Sequence, residues 1–264
     1  MKIAITGKGG VGKTTISGIL ARLFANEGSN VLAVDADPDA NLASALGISE
    51  AEYKKIIPFS KMKELAEERT GAEEGYGSYF ILNPKVDDLP DKYCLEHQGV
   101  KLLVMGTVDQ GGSGCVCPEH TLLKRLMKHL LIERKDAVIM DMEAGIEHLG
   151  RGTAESVDAL IVVVEPGRRS IQTAEQIKKL AHDIGIQNIY LVGSKIRDEK
   201  DLQFIKDHLA GFELLGSVSL SEEVKKADME GLSPFDTDST IVKEVSKIKD
   251  QLMKKLNESE NLSA

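Results

Sequence analysis

Gly7, Gly12, Lys13 and Thr14 stand at the spacing G-x-x-x-x-G-K-[ST], between an apolar β-run, Lys2–Thr6, and a run able to form a helix. That spacing suits phosphate. Glycines let successive backbone N–H groups turn toward phosphate oxygens that side chains would keep away. The helix behind the loop adds unpaired N-terminal amides and the positive end of its dipole. Gly9, Gly10, Val11, Gly12, Lys13, Thr14 and Thr15 are therefore candidate phosphate-binding positions. Lys13 can reach the β and γ phosphates, and the Thr14 hydroxyl can enter a Mg2+ shell. The competing reading is a glycine-rich turn with a chance lysine, which the four fixed matches in a strand–loop–helix setting disfavour. Lys8 is either a solvated loop lysine or a second cation. Across a dimer it could reach the opposite nucleotide and stabilise charge on the transferring phosphoryl group.

Two further sets of carboxylates belong to the same chemistry. Asp35, Asp37 and Asp39 close a second apolar run, and Pro38 stops it. Alternate positions on an extended segment share a face, so one of these groups can face a γ-phosphate or its water. Asp37 is the candidate for hydrolysis, Asp35 for organising the shell, and Asp39 for capping the helix that follows. Asp141 ends another apolar run, with Gly145 four residues on. An acid there can bind Mg2+ directly or through water, the plainer alternative being a strand-end turn.

Cys115 and Cys117 follow a glycine-rich stretch and precede Pro118. In an extended loop both sulfurs point the same way and can reach one soft or borderline ion, zinc and nickel included. Two thiolates are too few for a closed zinc site, whereas a two-fold axis through the loop would supply four. C-x-C alone also fits two ordinary small residues or a strained redox pair. Cys94 reads as an unrelated thiol, and His97, His120 and His148 lack a recurring ligand spacing.

The elements that must position these groups alternate. Strands are expected at Lys2–Thr6, Asn30–Asp35, Val100–Gly106, Ala137–Asp141, Ala159–Glu165, Asn188–Val192 and Phe212–Val218. Helices are expected at Lys13–Asn26, Asp39–Leu46, Pro118–Ile132, Ser170–Ile184, Asp198–Leu209 and Ser239–Asn257, with a polar, frayed tail after Asn257. Strands rich in Val, Ile and Leu with little alternation have both faces covered. The order predicts an α/β fold: a mostly parallel sheet with helices on both faces and phosphate ligands at the carboxyl strand ends. Residues 1–264 read as one such domain, with an insertion near 50–99 that is a solvated excursion or a partner surface.

Composition narrows the function. The 264 residues are 42% hydrophobic, enough for a sizeable core. A net charge of -9 argues against nucleic acid as the main ligand, and the absence of Trp removes the usual stacking platforms. Three cysteines without a framework spacing, with no leader or membrane span apparent, predict a reducing cytoplasm.

At Lys8, Asp37 and Asp141 the chain resembles the dimeric P-loop ATPases that include nitrogenase iron protein and the bacterial division and partition ATPases. The resemblance implies ATP and ADP as ligands with Mg2+. It also implies a Lys8 that reaches the other subunit's nucleotide, an Asp37 that orients water in the first switch region, and an Asp141 in the Mg2+ shell. Cys115-Val-Cys117 and the run from Asp141 to Gly152 are similar to CooC-type accessory ATPases, which mature nickel carbon monoxide dehydrogenase. This implies a homodimer that depends on nucleotide and metal, with Ni2+ (or Zn2+ at the same site) held by Cys115 and Cys117 of each subunit. The implied partner is nickel carbon monoxide dehydrogenase apoenzyme, with acetyl-CoA synthase as the alternative recipient. Two departures matter. The separated cysteines of nitrogenase iron protein are missing, and the lysines of the last helix are interrupted by acids, unlike a membrane-binding helix. Ser194 and Lys195 stand where relatives often hold the base with Asn, so adenine preference comes from the resemblance, helped by the stretch Leu215–Leu220. The alternative function is a MinD- or ParA-like positioning ATPase acting on DNA, membrane or a protein partner; no specific nucleic acid or stable membrane association is expected here.

Overall fold

A computed structural model describes residues 1–37, 39–72, 81–106, 118–146, 149 and 151–263. Its strands are β1 (Lys2–Gly7), β2 (Val31–Ala36), β3 (Leu95–His97), β4 (Val100–Val104), β5 (Ala137–Met142), β6 (Ala159–Val164), β7 (Ile189–Ile196) and β8 (Glu213–Ser219). They form one eight-stranded sheet in the order β3-β4-β2-β5-β1-β6-β7-β8. Every pairing is parallel except β3 with β4.

The strand residues explain the two layers. Ile3 and Ile5 of β1 point into one core and Ala4 into the other; Ala33 and Leu32 of β2 divide likewise. Both faces are apolar because both are covered. The first core also takes side chains from α1 (Lys13–Asn26), α2 (Leu42–Leu46) and α12 (Ser239–Ser263). The second takes them from α4 (Lys63–Thr70), α6 (Pro118–Lys128), α8 (Arg168–Ile184) and α9 (Glu199–His208). Shorter pieces are α3 (Glu50–Tyr53), α5 (Leu89–Tyr93), α7 (Arg151–Ala154), α10 (Glu222–Glu230) and α11 (Pro234–Thr237). Local chemistry fixes several ends. Asp198 accepts from the amides of Lys200 and Asp201 to start α9, and Ser221 accepts from Val224 to start α10.

The expected order of strands and helices is present, with differences that have physical causes. The antiparallel edge strand β3 is too short, at three residues, to carry a period. The helix expected over Pro118–Ile132 keeps α geometry to Lys128 and then widens into a π-turn, His129–Glu133. The strand expected to end at Val192 runs to Ile196, bending through irregular pairing with β8. The tail expected to fray after Asn257 continues α12 to Ser263, because no Gly or Pro interrupts it. Within 50–99 the described residues fold into α3, α4, α5, β3 and a 3-10 turn, Phe59–Lys61, whose Phe59 is buried in the second core. An ion-paired edge fastens this stretch: both Arg134 N–H groups donate to Asp91 at 3.0 and 2.9 Å, and Lys101 donates at 2.8 Å. Among the described residues no helix is long and apolar enough to cross a membrane.

Candidate functional site

Strand β1 sits between β5 and β6 in the middle of the sheet, so its carboxyl end opens onto the mouth shared by β2, β5 and β6. Gly7 closes that strand against β6. A Cβ there would lie 2.4 Å from the Val163 carbonyl oxygen, so only glycine permits this approach. Gly12 precedes α1 with φ at 96°, in the left-handed region, and supplies no side chain to the helix start. The first-turn amides of α1 are left open for a ligand, as an anion site at a helix start requires. Val11 turns its side chain fully into the core, which confines any ligand contact to its backbone. Gly9 and Gly10 remain exposed at the tip, with Thr14 and Thr15 half-buried on the first turn.

Lys13 is buried and its Nζ lies 3.7 Å from Asp37 Oδ2. The loop thus brings together the lysine and the carboxylate named for phosphoryl transfer. Asp35 and Asp141 are register partners on β2 and β5, and both are fully buried. Burial pushes the Asp35 carboxyl up to about 7, against the pull of the Leu42 amide. Burial likewise raises Asp141 to about 6, opposed by the Thr14 hydroxyl and the Lys13 charge. The Ser17 hydroxyl lies 3.1 Å from Asp141 Oδ1 and 2.9 Å from the Lys13 carbonyl, with one proton for the two. Among the described residues Asp141 Oδ2 has no hydrogen-bond partner although it is buried. An acceptor-only oxygen in that position, beside the Thr14 hydroxyl, fits a hard divalent cation. Thr14 and Asp141 are the residues that would hold Mg2+, which when bound neutralises charge on the phosphates.

The cap assignment needs correction. Asp39 does not start α2: the helix begins at Leu42, and the Asp39 amide instead donates to Asp37 Oδ1 at 3.0 Å. The Leu42 amide donates to Asp35 Oδ2 at 2.9 Å. The chain after β2 turns back so that the helix start faces the strand end, and Asp35 caps it from seven residues upstream.

Ser194 and Lys195 flank the loop from the end of β7. Ser194 is buried under Gly12, its Oγ 3.1 Å from where a Cβ on that glycine would stand. Lys195 adopts a left-handed φ of 57° and donates from Nζ to the Gly10 carbonyl at 2.5 Å. Its contact in this structure is thus with the phosphate loop. Both residues line a cavity of about 730 Å3 that starts at Lys13 and Asp37 and ends on Val218, Leu220, Val224 and Leu232. A space that sets apolar walls beside the charged groups of the loop suits a nucleotide. Helix α10, which contributes Glu222, Val224, Lys225 and Asp228 to this lining, was missed by sequence reading. Ser17 was also missed, although it stands one helical turn after Lys13. So was Thr6, whose hydroxyl donates to the Glu143 carbonyl at 2.6 Å and ties β1 to the loop after β5.

Lys8 Nζ lies 3.3 Å from Glu165 Oε1, and Lys195 Nζ lies 3.6 Å from Glu165 Oε2. Glu165 had no motif to mark it. The candidate metal ligands Cys115 and Cys117 lie outside the described residues, as does His148. Cys94 is half-buried near Asp91, and burial pushes its thiol up. Among the described residues no group of three or more His, Cys, Asp or Glu side chains is arranged to hold a metal ion.

Residues 2–235 match the family model described as the CobQ/CobB/MinD/ParA nucleotide binding domain. The chain belongs to that family. It is a P-loop ATPase with the nucleotide binding domain that this family model describes. It is 56% identical over 236 residues to the carbon monoxide dehydrogenase accessory protein CooC of Rhodospirillum rubrum, covering 89% of this chain and 90% of that one. It is 49% identical over 261 residues to an uncharacterised ATP-binding protein of Methanocaldococcus jannaschii, covering 97% and 99%. Among solved structures it resembles a Borrelia burgdorferi plasmid partition protein bound to AMPPNP, at 19% identity and a TM-score of 0.69, covering 96% of this chain and 99% of that one. The MinD chain of an Aquifex aeolicus MinC:MinD complex gives 19% identity and a TM-score of 0.68, covering 96% of each. These two likenesses speak for the fold.

Proposed function

We propose that this family member is an ATP-hydrolysing maturation factor. It binds nickel at the interface of a homodimer and assists its insertion into carbon monoxide dehydrogenase. The 56% identity to CooC over nearly the whole of both chains carries this reading. In it, Lys13 holds the β and γ phosphates, Thr14 and Asp141 hold Mg2+, and Asp37 orients the attacking water. Gly9 to Thr15 wrap the phosphates, and Ser194 and Lys195 stand toward the base. Lys8 crosses to the partner's nucleotide. Cys115 and Cys117 from each subunit supply four thiolates to one Ni2+, with Zn2+ able to occupy the same site. Residues 1–264 act as one ATPase domain in the cytoplasm, with 50–99 an insertion that packs into its second core through Phe59, Leu65 and Leu89.

The test is metal and mass together. The intact protein should bind one ion per dimer, and metal should promote dimerisation even without ATP. Cys115→Ser and Cys117→Ser should each weaken Ni2+ or Zn2+ binding while sparing ATP. Dimer closure must in turn change metal affinity. One tightly held ion per isolated monomer would reject the shared site. Unchanged affinity in the double-serine variant would reject these ligands and leave the ATPase assignment standing.

A further inference from the structure

Glu165 is the first residue after β6 and is held from both sides. Its amide donates to the buried Ser170 hydroxyl at 3.1 Å, which anchors its backbone at the start of α8. Its carboxylate meets two ammonium groups, one on each oxygen: Lys8 at 3.3 Å and Lys195 at 3.6 Å. Lys195 is itself fastened to the Gly10 carbonyl, so the far side of the cluster is fixed to the phosphate loop. One carboxylate thus balances two cations, both part-exposed, of which Lys195 has a further tie to the Gly10 carbonyl. Lys8 can leave without stranding a charge, because Lys195 keeps Glu165 paired.

We infer that Glu165 is a positioning residue for Lys8. It retains the lysine on its own subunit until a second, nucleotide-loaded copy of the chain offers a phosphate in exchange. The inference rests on the reading that Lys8 crosses the dimer. Retention keeps an unloaded chain from presenting a free ammonium to a partner, and the low worth of a part-exposed ion pair makes release easy. Two such pairs open for each dimer formed, so their effects multiply.

The experiment compares wild type, Glu165→Gln and Lys8→Ala by sedimentation equilibrium with a nonhydrolysable ATP analogue. Glu165→Gln should tighten the dimer on the order of tenfold, the product of two part-exposed pairs. ADP affinity of the monomer should stay at the wild-type value, and the unfolding midpoint should fall by no more than roughly 2–4 °C. A dimer no tighter than wild type would overturn the role of Glu165. Lys8→Ala should lose nucleotide-driven association; if it dimerises as wild type does, the crossing reading itself falls. A second measurement needs no dimer. Acylation of the nucleotide-free monomer, read by peptide mass spectrometry, should label Lys8 faster in Glu165→Gln than in wild type. Equal labelling of Lys8 in wild type and variant would overturn the retention.

Discussion

Asp141→Asn should make the nucleotide-free protein more stable while removing its Mg2+-dependent turnover. The carboxyl is raised from 3.8 to about 6 by burial, and its Oδ2 has no hydrogen-bond partner among the described residues. With each pKa unit worth about 1.4 kcal/mol, ionised Asp141 costs the folded state about 3 kcal/mol at neutral pH or above. Burying an asparagine amide in its place gives back about 1–2 kcal/mol of this gain through its own desolvation. The net gain is about 1–2 kcal/mol, a rise of roughly 2–8 °C in Tm for a chain of this size. The sign with pH follows from the raised folded pKa. Between about pH 4 and 6 Asp141 holds more protons in the folded than in the unfolded chain, so its contribution to stability falls as pH rises through that window and then levels off. The wild-type penalty at pH 5 is roughly half that at pH 8, and the advantage of the variant should shrink accordingly. Urea unfolding of both proteins in EDTA at the two pH values measures this. A variant no more stable at pH 8, or a gap that does not change with pH, would refute a carboxyl raised by burial. With Mg2+ and nucleotide added, wild type should gain far more stability than the variant.

Lys13→Ala should lower ATP turnover by at least about a hundredfold, since it removes the buried cation facing the phosphates; normal turnover in a folded variant would reject the assignment. Asp37→Ala should leave much of the nucleotide affinity intact and slow hydrolysis, so comparable losses in binding and single-turnover chemistry would point to damage of the loop instead. Asp91→Asn should destabilise the protein by about 1 kcal/mol at pH 7, a figure kept small because the carboxylate is half exposed. Arg134 and then Lys101 hold this carboxyl well below the usual range, so its contribution is full above about pH 4 and is lost as pH falls below that; denaturation of wild type and variant should converge in acid.

The phosphate loop was legible because its chemistry is local: Gly7, Gly12, Lys13 and Thr14 lie within one strand–loop–helix unit. Asp141 was legible for a related reason, as an acid closing an apolar run. The capping role of Asp35 was not, because it depends on the chain turning back to set Leu42 against the end of β2. Helix α10 escaped notice because only Ala227 of its nine residues is buried, leaving no apolar period to read. Glu165 becomes informative only when parallel pairing of β1 with β6 sets Gly7 beside Val163 and brings Lys8 within reach.

The central place of β1 also bears on how the site comes into being during folding. Its register partners are Val138 to Asp141 on one side and Ala159 to Val163 on the other, all more than a hundred residues away in sequence. The loop with Lys13 is made before β5, which brings Asp141, the buried carboxylate beside the Thr14 hydroxyl. Parallel neighbours so distant close large loops before any contact rewards them, which makes such a sheet slow to form. A nascent chain that stops short of Met142 therefore carries the whole glycine-rich motif and still lacks the sheet that shapes it. Nucleotide with Mg2+ would select only chains whose middle strands have already met, so ligand pulls the folding equilibrium from its final step.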